Sequence, residues 1–187
     1  MLPRVTTREQ LLAVARRLFG ARAFDEISID DIAAAAGVSK GLLYHYFEGK
    51  RGLYVATLQA EAAALLAETE PDPDELDSGL DAYLDYVETH RPGWLALMRG
   101  GVGSDAEVVA IVEGTRQAIV DRLAATVGRG PLMRVAMRGW VGMVEAAATD
   151  WVERGDVDRA QLRALLADAL HHAVESAGAR EGVADAA

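Results

Sequence analysis

Cysteine is absent from the 187 residues, which excludes disulfides, CxxC redox chemistry and thiolate metal sites and suits a reducing compartment. Lysine is nearly absent too, with Lys40 and Lys50 the only two. No stretch approaches the roughly 18 uninterrupted apolar residues that a spanning helix needs. The opening MLPRVTTREQ has no apolar h-region, so a soluble, cytoplasmic protein is expected. Strand patterning is also missing, because β-branched residues rarely alternate with polar ones, and period 3.6 is the only pattern that persists. With 51% apolar residues the chain can bury a sizeable core as one domain or two small ones. It reads as all-α.

Cationic charge is scarce as well. The net charge is -10, which by itself argues against a polyanionic partner. The average conceals an asymmetry: residues 1–55 carry eight Lys/Arg against six Asp/Glu, and the remainder 11 against 23. Any nucleic acid would have to meet the N-terminal quarter.

Helix punctuation is legible throughout. Thr7 and Gln10 form a T-x-x-Q capping box ahead of Leu11, Ala15, Leu18 and Phe19, with Gly20 as the expected stop. Ser28 precedes Ile29, Ile32 and Ala33, with Asp31 at N3, and Gly37 closes this second helix. Ser39 caps a third helix through Tyr46, and a fourth is expected from Gly49 or Lys50 to about Glu68, before the breaker ETEPDPDE. Two short helices around a glycine turn make the outline of a helix-turn-helix. Further starts fall at Asp72 with Pro73, Pro92, Ser104 with Glu107, Pro131, and Asp158 with Gln161, for nine helices in all.

In GVSKGLLYHYFEGK the third helix places Lys40, Tyr44 and His45 outward and turns Leu43 and Phe47 toward the first two helices. A donor-rich, partly aromatic helix face suits the major groove: lysine meets guanine acceptors or phosphate, and Tyr or His donates or stacks. Gly41 lets the backbone come close. The Ser39 hydroxyl, the Tyr46 phenol and the Lys50 charge can hold phosphates. The competing reading makes Tyr44, Tyr46 and Phe47 core aromatics and the lysines ordinary solubilising charges.

Over Phe24 to Tyr54, FDEISIDDIAAAAGVSKGLLYHYFEGKRGLY, the chain resembles the TetR family of transcriptional regulators, with the likeness covering roughly residues 6–60. The resemblance implies a nine-helix homodimer with a helix-turn-helix domain over residues 1–54 and a helical ligand-binding and dimerising domain over 55–187. It places Ser39, Lys40, Gly41, Tyr44, His45, Tyr46 and Lys50 at DNA-contacting positions and Ser28 at a phosphate-contacting one. Leu42 departs from the small polar residue that many members carry there. It either packs sideways against the protein or meets a thymine methyl, and packing is favoured.

The acidic remainder must then self-associate and sense. PLMRVAMRGWVGMVEAAATDWVERG puts Met133, Met137, Trp140, Val141 and Val144 on one face, with Gly139, Gly142 and Ala146 small enough for a close helix approach. Leu162, Leu165, Leu166, Ala169, Leu170, Ala173 and Val174 continue the seam on the last helix. Two such helices per subunit would build a four-helix dimer interface and set two reading helices about 34 Å apart on palindromic operator DNA. A monomeric core is the alternative. For a pocket, Tyr83, Tyr86, Trp94, Met98, Met137, Trp140 and Met143 suit a mostly apolar small-molecule effector, with His90, Arg99, Arg116 or Arg138 as polar anchors. Simple core filling is the rival account of the same side chains.

The function expected is a ligand-responsive regulator, repression being the commoner outcome in the resembled family, with no cofactor and no membrane partner. Tyr54 and Leu58 on the fourth helix are the expected transmitters. The alternative is an all-helical metal-dependent enzyme built on His172 and Glu175, three apart in HHAVE. Against catalysis stand the two remaining histidines, His45 and His90, and a glycine run, RGGVGSDAE, without a Walker lysine or a preceding strand, which reads as a hinge.

Overall fold

The computed structural model describes residues 7–70, 77–100 and 105–184. Among them are nine α-helices: α1 (Thr7–Ala21), α2 (Ile29–Ala36), α3 (Lys40–Tyr46), α4 (Gly49–Glu68), α5 (Ser78–Thr89), α6 (Arg91–Gly100), α7 (Ala106–Val127), α8 (Pro131–Arg154) and α9 (Arg159–Ala184). A 3-10 turn at Phe24–Glu26 precedes α2. The expected helix start at Asp72 and Pro73, the Ser104 cap and the middle of the RGGVGSDAE hinge lie outside the described residues. Asp105 performs the capping at α7, its Oδ1 accepting from the Glu107 N–H at 3.1 Å and the Val108 N–H at 3.3 Å.

The chain divides into two compact units, residues 1–64 with 90–112, and 65–89 with 113–187. In the first, Leu11, Ala15, Phe19, Ile27, Ile32, Leu43, Phe47, Leu53 and Leu58 are buried together, so the apolar stripes of α1 to α4 close on one core. Phe19 meets Tyr54 edge-on at 4.7 Å between ring centroids, and Phe24 lies 4.9 Å from the same Tyr54 ring. Burial raises the Tyr54 phenol above its ordinary pKa. Gly20 does not stop α1, which continues to Ala21. It is buried where α6 crosses: a Cβ there would stand 2.2 Å from the Pro92 carbonyl oxygen. The residue is a helix-crossing glycine, and the Arg99 guanidinium donates to its carbonyl. Gly93 makes the same kind of approach to the buried Glu61 carboxylate, which pairs with Arg16.

In the second unit α5 packs against α8 and α9, burying Leu80, Tyr83, Leu84, Tyr86 and Val87. Salt links reinforce it: Arg159 reaches Asp85 at 2.5 Å, and Arg163 reaches Asp77 at 3.1 Å and Asp81 at 3.0 Å. Gly130, at the start of α8, has no side chain to cap with. Glu181 on α9 supplies the oxygen instead, accepting from the Leu132 N–H at 2.7 Å and the Met133 N–H at 3.2 Å. The expected self-association seam is mostly consumed inside this unit. Met133, Met137, Trp140, Val141, Val144, Leu162, Leu166 and Leu170 are all buried. The outward face keeps Gly139, Gly142, Met143, Ala146 and Leu165, the last 57% exposed.

Candidate nucleic-acid interface

The interface is built from local chemistry. Ser28 Oγ accepts from the Asp31 N–H at 3.0 Å while the Asp31 carboxylate accepts from the Ser28 N–H at 2.8 Å, a reciprocal capping box that starts α2. These bonds hold the Asp31 carboxyl below its ordinary pKa, with the Ser28 backbone N–H the largest cause. At the other end Gly37 adopts φ +66°, and the Val38 N–H returns to the Ala33 carbonyl at 3.0 Å, a left-handed cap that a side chain would strain. Two residues later Ser39 Oγ accepts from the Leu42 N–H at 3.3 Å and starts α3. The chain thus turns within Gly37, Val38 and Ser39, and the hydrophobic side of α3 falls inward.

Leu43 and Phe47 are buried, Leu42 is half-buried, and Gly41, Tyr44, His45 and Tyr46 are exposed. Tyr44 is 59% exposed and Tyr46 38%, so the reading of these two as core aromatics is overturned, while Phe47 does belong to the core. The His45 ring meets Tyr46 edge-on at 5.0 Å, and Arg8 sits 5.4 Å from the Phe47 ring centroid. Ser28 and Ser39 are exposed, and each hydroxyl keeps a proton to donate beyond its cap.

The two lysines have separate roles. Lys50 turns inward: its Nζ donates to the Phe24 carbonyl at 2.9 Å and lies 3.9 Å from the Phe24 ring centroid, joining α4 to the turn before α2. Lys40 stays on the outward face of α3, where its Nζ is 2.5 Å from Asp30 Oδ1 on α2. Asp30 was not singled out in the sequence. The signal for it was the charge count of residues 28–47, where Lys40 is the sole Lys or Arg and Asp30 and Asp31 the only acids.

The seven candidate pocket residues are divided between the two units. Trp94 and Met98 belong to the first unit, Tyr83, Tyr86, Met137, Trp140 and Met143 to the second. Within the second, Trp140 donates its indole N–H to the Leu166 carbonyl at 2.9 Å, and Met143 is 38% exposed on the outer side of α8. A groove of about 240 Å³ lies elsewhere, between Leu132, Val135 and Ala136 of α8 and Ala173, Ser176 and Arg180 of α9. Of the expected polar anchors, Arg116 is held by Glu145 at 2.6 Å and Arg138 pairs with Glu113.

Among the described residues no three His, Cys, Asp or Glu side chains are gathered to hold a metal. His171 and His172 direct Nδ1 at the carbonyls of Ala167 and Asp168, both at 2.8 Å. No helix of the described residues is long and apolar enough to cross a membrane.

A short capped helix, a left-handed glycine turn and a second helix whose polar and aromatic side faces solvent define a helix-turn-helix protein. The family model described as "Bacterial regulatory proteins, tetR family" matches residues 11–57. A second, "Tetracyclin repressor-like, C-terminal domain", matches residues 73–172. The chain belongs to the tetR family of bacterial regulatory proteins. It is 30% identical over 135 residues to the HTH-type transcriptional activator FasR of Mycolicibacterium smegmatis, covering 68% of this chain and 62% of that protein. It therefore spans less than two thirds of that relative's own length. A tetR-family transcriptional regulator from Streptomyces coelicolor superposes with a TM-score of 0.78 at 35% identity, over 93% of this chain and 82% of the other. A TetR-like transcriptional regulator from Rhodococcus sp. RHA1 gives 0.77 at 28% identity, over 94% and 99%.

Proposed function

We propose that the chain is a ligand-responsive transcriptional repressor that binds palindromic double-stranded operator DNA as a homodimer in the cytoplasm. The observation that carries this reading is the orientation of α3, with Leu43 and Phe47 in the core and Lys40, Tyr44 and His45 facing solvent together. In the groove Lys40 and His45 donate to base edges and Tyr44 donates or stacks, while Ser28, Ser39, Tyr46 and the close backbone at Gly41 meet phosphates and fix register. Leu42, half-buried, packs against the protein rather than on a thymine methyl. Lys50 acts through position, since its anchorage to Phe24 fixes the start of α4. The head is residues 1–54, and the helical body 55–187 self-associates through the outer faces of α8 and α9, where Gly139, Gly142 and Ala146 allow close helix approach.

A mostly apolar small-molecule effector is taken by the body, with Tyr83, Tyr86, Met137 and Trp140, buried in the second unit, as candidate contacts. Its effect reaches the head along α4, whose Tyr54 and Leu58 are both buried in the first compact unit. Fluorescence anisotropy with duplexes from the chain's own upstream region tests the reading. Binding should occur at low salt, weaken with a log-log slope of about -0.9 per phosphate contact, and fall for Tyr44→Ala. Absence of binding by the wild type at low salt refutes it.

A further inference from the structure

The reading face carries an ion pair of its own. Asp31 is committed to the α2 capping box, but Asp30, at the preceding position, turns toward α3 and takes the Lys40 ammonium at 2.5 Å. Both side chains are more than half exposed, 54% for Lys40 and 64% for Asp30. The pair therefore stands in solvent on the side of the head that would meet DNA. The hydrogen bond to Asp30 also raises the Lys40 pKa, so the amine stays charged. Lys40 is the sole Lys or Arg of residues 28–47, and Arg22, the cation that approaches α2 from the end of α1, stands at Asp31 at 3.5 Å, so the partner of Lys40 sets the cationic chemistry of α3 itself.

We propose that Asp30 is a specificity-determining residue of the DNA-binding head: an internal counter-ion that satisfies Lys40 until a base edge, rather than a phosphate, is offered. The inference rests on the DNA-binding reading above. A phosphate competes with Asp30 as one solvated anion with another. Moving Lys40 to it gains little and leaves Asp30 repelled by the DNA backbone. Guanine O6 and N7 are neutral acceptors. The ammonium has three protons, so it can direct two at the base while Asp30 keeps the third and fixes its aim. Asp30 thus suppresses sequence-independent attraction while preserving a base contact.

The test uses the full chain, two labelled duplexes of equal length, one carrying the operator and one of random sequence, and anisotropy titrations across a salt series. Asp30→Asn is expected to tighten random-duplex binding roughly three- to ten-fold at low salt, steepen its log-log salt slope by about one per reading helix, and reduce the operator-to-random ratio. Asp30→Ser, also suited to a helix N-terminus, should behave the same way, with far-UV circular dichroism checking that both variants are folded. In a Lys40→Gln background the gain should largely vanish. An unchanged random-duplex slope overturns the proposal, and so does an equal gain with and without Lys40, which would reduce Asp30 to general repulsion. If the wild type binds neither duplex, the DNA-binding reading falls and this inference with it. Wild-type binding with an unaltered Asp30→Asn slope removes this inference alone.

Discussion

Replacing Gly20 by alanine sets two effects of opposite sign against each other. Alanine is the better helix former, worth about 1 kcal/mol over glycine inside a helix, and Gly20 lies inside α1. The added methyl would stand 2.2 Å from the Pro92 carbonyl oxygen and 2.8 Å from its Cα and carbonyl carbon. These are backbone atoms, which no rotamer change can remove, so α6 must retreat by about 1 Å and the packing beside Phe19 must open. Overpacking of this kind costs about 1–3 kcal/mol when side chains can yield, and here they cannot, so the upper end applies. Net destabilisation of about 1–2 kcal/mol follows. For a chain of this size each kcal/mol moves the midpoint by about 2–4 °C, so Gly20→Ala should melt several degrees below wild type by circular dichroism at 222 nm. Gly114→Ala on α7 is the control: it is exposed with nothing within 4 Å of the added carbon, so only the propensity gain of up to about 1 kcal/mol remains. A Gly20→Ala protein melting at or above the wild-type midpoint would show that the α1 and α6 contact is loose enough to admit a methyl group, refuting the clash with Pro92.

Two further outcomes follow from the ionic contacts. Arg116 donates to both oxygens of Glu145, at 2.9 and 2.6 Å, and their side chains are only 23% and 13% exposed. Burial raises the Glu145 carboxyl even against the pull of Arg116, so Arg116→Met should destabilise by up to about 3 kcal/mol. Arg116→Met with Glu145→Met should recover much of that loss in urea unfolding, and a double variant as unstable as the sum of the singles would exclude a desolvated pair. Asp31 and Asp105 have pKa values lowered in the fold, by the Ser28 backbone and by Arg51 respectively. Their stabilisation is present above about pH 4, near the ordinary carboxylate value, and is lost as pH falls through the lowered native values. Asp31→Asn with Asp105→Asn should therefore flatten the acid limb of the stability profile, and an undiminished acid limb would assign it to other carboxylates.

Much of the head could be read along the chain because its signals are local. The Ser28 and Asp31 box, the left-handed Gly37 and the Ser39 cap each involve residues within a few positions of one another. Such contacts form whenever the segment becomes helical, and the 3.6 period then decides which side of α3 faces the core. The same locality gave the Asp158 start of α9 and the Pro131 start of α8. Gly20, by contrast, looked like a terminator because a glycine after an apolar stripe usually is one. Its role depends on Pro92, which only chain crossing brings near.

The sequence by itself determined an all-helical chain with a capped, glycine-turned helix pair whose polar and aromatic side would face outward, since these follow from backbone capping and periodicity. Tertiary structure alone decided where long side chains end. Lys50 reaches back 26 positions to the Phe24 carbonyl, Glu181 caps α8 across 48 or 49 positions, and Lys40 finds Asp30 on the neighbouring helix. It also decided that the Leu and Met seam of α8 and α9 is largely used within its own unit, leaving a narrower outer face of glycine, alanine, Met143 and Leu165. A flexible side chain several ångströms long selects its partner from whatever the fold places within reach, and a one-dimensional pattern cannot express that choice.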